Sequence, residues 1–293
     1  MLNIFKVHKA LKRKGIVGIN SRNLDFIFPL NDRKNYQFVD DKVLTKKAAI
    51  EAGIQTPQLY ALIEYQEQLK RLQDILDHEA YNDFVIKPAK GSGGGGIMVI
   101  SGRGSNGYIR PSGKVISLEE IRYHISNILG GLYSLGGVRD VAIIERRVKN
   151  IPLFEKLSYQ GVPDIRLVVY KNETVMAMLR LPTRGSSGRA NLHSGGIGVG
   201  LCLETGKTTN AILHNKKIVS HVDNNESLIG QQIPQWQEVL AIGKKASEIS
   251  NLGYVGVDIV IDEEYGPMLL EINARPGISI QIANNIGLLQ KIG

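Results

Sequence analysis

The chain of 293 residues is 43% hydrophobic and 22% charged, which excludes a wholly disordered protein or a collagen-like repeat and allows one large domain or two smaller ones. Its net charge of +8 is unevenly distributed, because residues 1–50 contain 11 basic and 4 acidic side chains, whereas residues 51–293 contain 25 and 24. Cys202 is the single cysteine, so an internal disulfide and a cysteine-cluster metal site are excluded, and no apolar run reaches the roughly 18–20 residues that cross a bilayer. We therefore expect a cytoplasmic protein with a near-neutral body and a basic front end.

The basic front end has the pattern of an amphipathic helix over residues 1–14. Ile4, Val7 and Leu11 recur at spacings of three and four, five lysines and arginines fill other positions, and Gly15 ends the pattern. The apolar stripe either packs on the protein's own body or binds an anionic membrane surface, which would make the protein peripheral at the inner membrane, or a polyanion. Nucleic acid is the least favoured partner, because no series of aromatic side chains alternates with the basic ones.

The rest of the chain alternates helical and strand patterns. Helices are predicted over residues 40–53, 64–79, 117–129 and 236–250. Strands are predicted over residues 84–88, 97–100, 141–145, 165–170, 175–181, 255–261 and 268–272. Successive strands joined by short turns, with helices between the groups, predict a fold of the α+β or mixed α/β class.

A glycine-rich loop follows the strand that carries Lys87. Gly93, Gly94 and Gly95 lie within the run KGSGGGG, where the lack of Cβ atoms lets main-chain N–H groups approach phosphate oxygens. The lysine on the preceding strand would neutralise phosphate charge. The loop is not a P-loop, because no Gly-Lys-Ser/Thr follows the glycines, and a plain flexible linker is the alternative.

Two carboxylates and an amide recur on the predicted strands near the C-terminus. Asp258 and Glu271 lie on strands joined by a short turn, and Asn273 is two residues from Glu271, so that both point to the same face. These oxygen ligands suit Mg²⁺. The alternative is a solvated hairpin face, which the apolar residues around these carboxylates argue against, because burying an unpaired carboxylate is unfavourable.

Two further groups of polar residues are candidates for binding. Glu145 ends an apolar strand, where a carboxylate could bind a ribose and the backbone beyond it an adenine edge, or where a solvated ion pair could form. Clustered arginines with an amide and an imidazole suit a site that binds carboxylates and stabilises phosphoryl charge. That second group comprises Arg166, Arg180, Asn191, His193 and Arg275, with Asp164 and Arg184 close to it in sequence.

In this order the motifs resemble those of the ATP-grasp carboxylate–amine ligases, and in particular the alpha-L-glutamate ligase-like branch, relatives of the enzymes that add glutamate to ribosomal protein tails. The resemblance covers about residues 40–285. Its matching positions are Lys42, Lys87, Glu145, Arg166, Asn191, Asp258, Glu271 and Asn273.

The resemblance implies an α+β ATP-grasp fold in which two subdomains clamp ATP. Residues 1–39 would form a basic segment, residues 40–147 the first subdomain and residues 148–293 the second. Lys42 and Lys87 would contact phosphates under a glycine-loop lid formed by Gly93, Gly94 and Gly95, while Glu145 and the backbone from Arg146 to Val148 would hold ribose and adenine. Asp258, Glu271 and Asn273 would bind Mg²⁺. Arg166, Arg180 and Asn191 would face the γ-phosphate and the acyl phosphate, with His193 and Arg275 as further catalytic candidates.

The implied reaction is the phosphorylation of a carboxylate to an acyl phosphate, which an amine then attacks, with small molecules or peptides as substrates and glutamate as one candidate. Two alternatives remain open: a kinase that acts on a hydroxyl, and a non-catalytic ATP-binding protein. One departure from the family concerns the substrate. Family members usually carry an α/β domain of about a hundred residues before the position of Lys42, which helps to bind the acceptor substrate, whereas 41 residues precede Lys42 here. Polar residues in the short stretch present here, Asn20, Arg22, Asn23 and Arg33, either take over part of that role or cap the subdomain.

Overall fold

The computed structural model describes residues 4–77, 81–91 and 93–292. The helices are α1 (Ile4–Arg13), α2 (Ile19–Ser21), α3 (Phe28–Leu30), α4 (Tyr36–Asp40), α5 (Lys42–Glu51), α6 (Leu72–Leu76), α7 (Leu118–Leu129), α8 (Pro152–Leu157), α9 (Trp236–Ser250), α10 (Ile280–Asn284) and α11 (Leu289–Ile292). A π-helical stretch covers Arg22–Ile27, and 3₁₀ turns cover Arg33–Asn35, Gln66–Arg71, Leu135–Gly137 and Leu192–Ser194.

The strands are β1 (Leu59–Ile63), β2 (Phe84–Pro88), β3 (Met98–Ile100), β4 (Gly102–Gly104), β5 (Gly107–Ile109), β6 (Val115–Ile116), β7 (Ala142–Arg146), β8 (Asp164–Tyr170), β9 (Glu173–Leu181), β10 (Ile197–Leu201), β11 (Thr208–Leu213), β12 (Lys216–Ile218), β13 (Tyr254–Asp262) and β14 (Gly266–Asn273). They form three sheets, and the described pairings between neighbouring strands are antiparallel. Helices together with antiparallel sheets confirm the predicted α+β class.

The chain divides into two compact units. Unit 1 contains residues 1–39, 45–56 and 149–293, and unit 2 contains residues 40–44 and 57–148. Unit 1 holds a seven-stranded sheet in the order β12-β11-β10-β9-β8-β13-β14. Unit 2 holds a four-stranded sheet in the order β1-β7-β2-β3 and a three-stranded sheet in the order β4-β5-β6.

Local sequence explains several element boundaries. The Ser117 hydroxyl accepts a hydrogen bond from the backbone N–H of Glu120 at 3.1 Å, and the Glu120 carboxylate accepts one from the N–H of Ser117 at 2.9 Å, so a capping box begins α7 as predicted. Gly15 and Gly53 follow α1 and α5 with φ near +67°, the left-handed conformation that glycine adopts without strain. The helix predicted over residues 64–79 is a 3₁₀ turn followed by the short α6, and its last two residues lie outside the described part.

The strands missed by the sequence patterns are β1, the three short strands β4–β6, and β10–β12. Strands β4 to β6 contain only two or three residues each, and their glycines remove the alternation of apolar and polar side chains on which a strand prediction depends. No helix within the described ranges is long and apolar enough to cross a membrane. The predicted N-terminal helix is present as α1, residues 1–3 lie outside the description, and the side chains of residues 9–14 are exposed.

The two faces of the seven-stranded sheet are covered differently. Alternate residues of β8, Ile165, Leu167 and Val169, face a large core to which α9 contributes. At Gly243 of α9, an added Cβ would lie 2.5 Å from Leu167 Cδ1, so the lack of a side chain at this residue lets the helix pack closely on the sheet. Val168, on the opposite face, belongs to a second core.

Residues 17–31, here called the covering segment, lie over the second face. Val17, Phe26 and Ile27 are buried there in one apolar cluster with residues of β8, β9 and β13. The buried amide of Asn31 donates to the carbonyls of Tyr254 at 2.7 Å and Ala274 at 2.9 Å, and accepts from the Tyr254 N–H at 3.0 Å. Apolar packing and a saturated amide therefore fix the segment to unit 1.

We predict that Asn31→Ala lowers the free energy of unfolding by about 2–3 kcal/mol, because the substitution leaves buried backbone groups without hydrogen-bond partners. Denaturant unfolding measures the change. The exposed Asn20 in the same segment gives the matched control, since Asn20→Ala should change stability by less than about 0.5 kcal/mol. Equal effects of the two substitutions would contradict the role of Asn31 in fixing the covering segment.

Candidate active site

Six polar side chains of unit 1 form a cluster on the second face of the seven-stranded sheet, beyond the part that the covering segment covers. We call it the arginine–carboxylate cluster: Asp164, Arg166, Arg180, Asp258, Glu271 and Asn273. Strand register brings the residues together, because Asp258 of β13 is paired with Arg166 of β8 on one side and with Glu271 of β14 on the other. Asp164 is paired with Arg180 of β9. Residues directly opposite each other on neighbouring strands lie on the same face, so four strands supply one site.

Asp258 is the centre of this cluster. Arg166 donates to the Asp258 carboxylate through Nε and Nη2, and its Nη2 lies 2.7 Å from Oδ2. Arg180 Nη2 lies 2.7 Å from the same oxygen. The Nε of Arg180 donates to Asp164, so this guanidinium links two carboxylates. The arginines predicted to serve a phosphoryl group are therefore held in place by acids of the sheet.

Burial and charge shift the acid–base properties of the cluster. Burial by itself would raise the pKa of Asp258, but the guanidinium groups of Arg166 and Arg180 outweigh it and hold that pKa below its ordinary value. Burial raises the pKa of Asp164 to about 7, and the neighbouring Asp258 carboxylate adds to a shift that Arg180 only partly offsets. Asp164 and Asp258 share Arg180, but Asp258 also pairs with Arg166. The ionised form of Asp258 is therefore stabilised by more positive charge than that of Asp164.

The donor set fits a hard divalent cation. Asn273 Nδ2 donates to Glu271 Oε1 at 3.1 Å and to Asp258 Oδ2 at 3.3 Å, so an N–H dipole bridges the two carboxylates. Rotation of this amide by half a turn would present its oxygen to the same point, giving two carboxylates and one amide oxygen, which is a ligand chemistry that Mg²⁺ accepts. Among the described residues, no group of three or more His, Cys, Asp or Glu side chains forms a metal site. The fit therefore depends on the amide as a ligand.

Unit 2 contains a second buried ion pair. Lys87 Nζ contacts Glu145 Oε1, and both side chains are about 95% buried. Lys87 lies on β2 two residues after Val85, which pairs with Glu145 of β7, so the two side chains meet diagonally across neighbouring strands. The residue predicted to bind phosphate is therefore in contact with the residue predicted to bind ribose.

The glycine-rich loop of unit 2 is anchored at both ends. Lys42 Nζ donates to the carbonyl of Gly91 at 2.7 Å, and the Asp140 carboxylate accepts from the N–H of Lys90 and from the hydroxyl of Ser134. At the other end, the His124 ring contacts the carbonyl of Gly96 at 2.9 Å. Within the loop, Gly93 and Gly94 have φ of +62° and +77°, and these residues and Gly95 are at least partly exposed. Neither Asp140 nor His124 belongs to a recognisable sequence motif, so the sequence alone does not predict these loop contacts.

Three further predicted site residues lie on turns and at the end of β14. Asn191 accepts from the N–H of His193 at 2.9 Å, which begins a 3₁₀ turn, and the His193 side chain is exposed. Arg275, two residues beyond β14, is exposed, and its guanidinium stacks 4.9 Å above the ring of Tyr36. Arg146 and Val148 are buried at the end of β7.

Comparison with known proteins gives one match by family and several by structure. Residues 21–293 match a family model described as sugar-transfer associated ATP-grasp. No curated protein matches the chain. The chain is similar in structure to the D-alanine–D-alanine ligase from Bacillus anthracis complexed with ATP, with 14% identity, a TM-score of 0.49, and coverage of 88% of this chain and 63% of that one.

Two other solved structures are similar at the same level. One is the ATP-grasp ligase PsnB complexed with minimal precursor, with 12% identity, a TM-score of 0.45, and coverage of 90% of this chain and 61% of that one. The other is the D-cycloserine synthetase DcsG, with 13% identity, a TM-score of 0.48, and coverage of 88% of this chain and 70% of that one. The chain therefore spans about three fifths of the length of the PsnB and D-alanine–D-alanine ligase structures.

The raised pKa of Asp164 predicts a pH dependence. Between about pH 4 and pH 7 the folded state holds a proton on this carboxyl that the unfolded state has lost, so the free energy of unfolding falls as pH rises. In Asp164→Asn this contribution disappears, and the decline over the same range should be smaller. Denaturant unfolding at several pH values between 4 and 7.5 measures the two slopes. If the free energy of unfolding falls equally with pH in the unmodified protein and in Asp164→Asn, Asp164 has the same pKa in the folded and unfolded states and the prediction is wrong.

Proposed function

Since the chain belongs to the sugar-transfer associated ATP-grasp family, we propose that it is an ATP- and Mg²⁺-dependent ligase that joins a carboxylate to an amine through an acyl phosphate. The observation that supports this proposal best is the arginine–carboxylate cluster. Two guanidinium groups fixed by buried acids lie beside two carboxylates and an amide suited to Mg²⁺. Phosphoryl transfer depends on such positioned positive charge more than on a nucleophile of the protein.

In the proposed reaction, a substrate carboxylate oxygen attacks the γ-phosphorus of ATP and ADP leaves. The amine nitrogen then attacks the acyl carbon, phosphate leaves, and the nitrogen loses a proton as the amide forms. Arg166 and Arg180 would bind the transferred phosphoryl group and the acyl phosphate, and their buried acid partners keep them oriented without further reorganisation. Asp258, Glu271 and Asn273 would hold Mg²⁺, which when bound neutralises phosphate oxygens.

The groups of unit 2 would bind the nucleotide. Lys87 would bind phosphate and Glu145 the ribose, which requires their buried ion pair to open or to be shared with the ligand. The main-chain N–H groups of Gly93, Gly94 and Gly95 would cover the phosphates, with Lys42 supporting the loop through Gly91. The roles of Arg146, Val148, Asn191, His193 and Arg275 stay predictions.

The substrate panel for testing this proposal follows from the chemistry and the family. Glutamate remains a candidate carboxylate, and the family's association with sugar transfer adds sugar carboxylates and sugar-linked amines. ADP release measures phosphoryl transfer, and hydroxylamine replaces the amine by converting an acyl phosphate into a stable hydroxamate. Hydroxamate formation supports the ligase. A stable phosphorylated hydroxyl product supports a kinase, and nucleotide binding without turnover over the whole panel supports a non-catalytic protein.

We predict that Glu271→Gln reduces Mg²⁺-dependent ADP release at limiting Mg²⁺ by about a hundredfold or more, because it removes one anionic ligand while conserving side-chain volume. Glu263→Gln is the matched control, since Glu263 is an exposed acid in the turn before β14. Its turnover should equal that of the unmodified protein. Normal turnover of Glu271→Gln at limiting Mg²⁺ would refute the metal assignment.

We predict that the double variant Lys87→Met/Glu145→Gln folds but binds ATP at least about tenfold more weakly. Both members of the buried ion pair are replaced together, because removing Lys87 alone would deprive the buried Glu145 carboxylate of this ammonium group. Isothermal titration calorimetry measures the dissociation constant. Lys90→Met, two residues beyond β2, controls for general loss of positive charge, and unchanged affinity in the double variant would refute the phosphate role of Lys87.

A further inference from the structure

Arg22 of the covering segment is held rigidly beside the sheet. Its Nε and Nη2 donate to Asn23 Oδ1 at 3.2 and 2.8 Å, and its Nη1 donates to the carbonyl of Pro276 at 3.0 Å. The guanidinium is half-buried, and three of its five N–H groups are used by neutral acceptors. One N–H remains on each of Nη1 and Nη2, the number that a carboxylate accepts in a bidentate pair.

No acidic side chain in the described part of the chain forms an ion pair with Arg22. In the arginine–carboxylate cluster, by comparison, Arg166 pairs with one carboxylate and Arg180 with two. A half-buried guanidinium held only by neutral oxygens keeps its positive charge available to an outside anion. Orienting the group in advance also lowers the entropy lost on binding.

Arg22 lies at the boundary between the apolar and the charged parts of one sheet face. Its contact Pro276 borders Gly256 of β13, where an added Cβ would lie 2.8 Å from Pro276 Cβ and 3.3 Å from Arg166 Nη1. Arg22, through Pro276, and Arg166 therefore lie near the same small region of β13. Consistently, both arginines partly counter the burial that raises the pKa of Tyr254, the first residue of this strand, to about 12.

The spacing along β13 separates Arg22 from the proposed reaction centre. Asp258 is two residues beyond Gly256, which corresponds to about 7 Å at the rise of a β-strand. A single carboxylate is too small to contact both the metal ligands and Arg22. A small molecule with two anionic groups can place one beside Arg166 and Arg180 of the cluster and the other at Arg22.

We propose that Arg22 is a specificity-determining residue that binds a second anionic group of the substrate, a carboxylate or a phosphate, at a distance from the carboxylate that reacts. This inference rests on the proposed function for the identity of the reacting group, but the anion subsite itself is defined by Arg22 and its contact with Pro276. The substrate class is therefore a carboxylic acid with a further negative charge rather than a simple monocarboxylate.

The test compares matched anions by isothermal titration calorimetry. Butyrate, glutarate and 4-phosphonobutyrate are titrated into the protein with Mg²⁺ and a non-hydrolysable ATP analogue, and again without nucleotide. We expect either glutarate or the phosphonate to bind at least about tenfold more tightly than butyrate, and the stronger one identifies the second group. In Arg22→Ala this preference should be lost, while butyrate and nucleotide bind as before.

Three further variants keep the inference falsifiable. Arg22→Gln retains a donor for the Pro276 carbonyl and replaces Arg22→Ala if the latter does not fold, and Arg22→Lys should keep only part of the preference. Lys217→Ala removes an exposed cation of β12 in the same unit and should keep all of it. Equal binding of the three anions by the unmodified protein, or an unchanged preference in Arg22→Gln, would overturn the inference. Failure of nucleotide binding with an intact, Arg22-dependent preference would instead contradict the proposed ligase function.

Discussion

The site in unit 1 depends on one buried interaction, the binding of Asp258 by two guanidinium groups from neighbouring strands. A carboxylate at 2% exposure would be strongly unfavourable alone, and Arg166 and Arg180 make its burial possible. In return, the carboxylate fixes both arginines on the sheet. Every chemical role proposed for this site, from phosphoryl binding to metal binding, requires that these side chains do not reorganise when a substrate arrives.

The sheet face that carries this cluster serves two purposes. Its apolar half is covered by Phe26 and Ile27, and its charged half begins at Gly256 and Asp258 of β13. Because alternate residues of a strand point to the same face, a change from apolar to charged residues along one strand divides this face into two parts. One part packs in the core, and the other carries the candidate site. The covering segment is therefore part of the core of unit 1, and it also supplies Arg22 at the division.

The two buried ion-pair systems differ in what they imply. The Lys87–Glu145 pair in unit 2 joins one ammonium group to one carboxylate, and we expect its replacement by neutral groups to alter stability little. The cluster of unit 1 joins Arg166 and Arg180 to the carboxylates of Asp164 and Asp258 and places Asn273 between Asp258 and Glu271. Its carboxylate and amide groups are of the kind that a divalent cation binds, which supports a binding role for the cluster beside its structural one.

The sequence by itself determined the α+β class, the capped helix α7, the glycine-rich loop and the identity of the motifs, because these depend on local residue patterns and their order. It also paired Asp258 with Glu271 and Asn273, since a short turn between two strands fixes their register. Only the tertiary structure decided which arginines join them: Arg166 and Arg180 reach Asp258 through the order β9-β8-β13, in which a long stretch of chain separates β8 from β13. The same order leaves His193 and Arg275 exposed and places Arg22 at Pro276, because contacts between residues far apart in sequence are set by packing that no local pattern encodes.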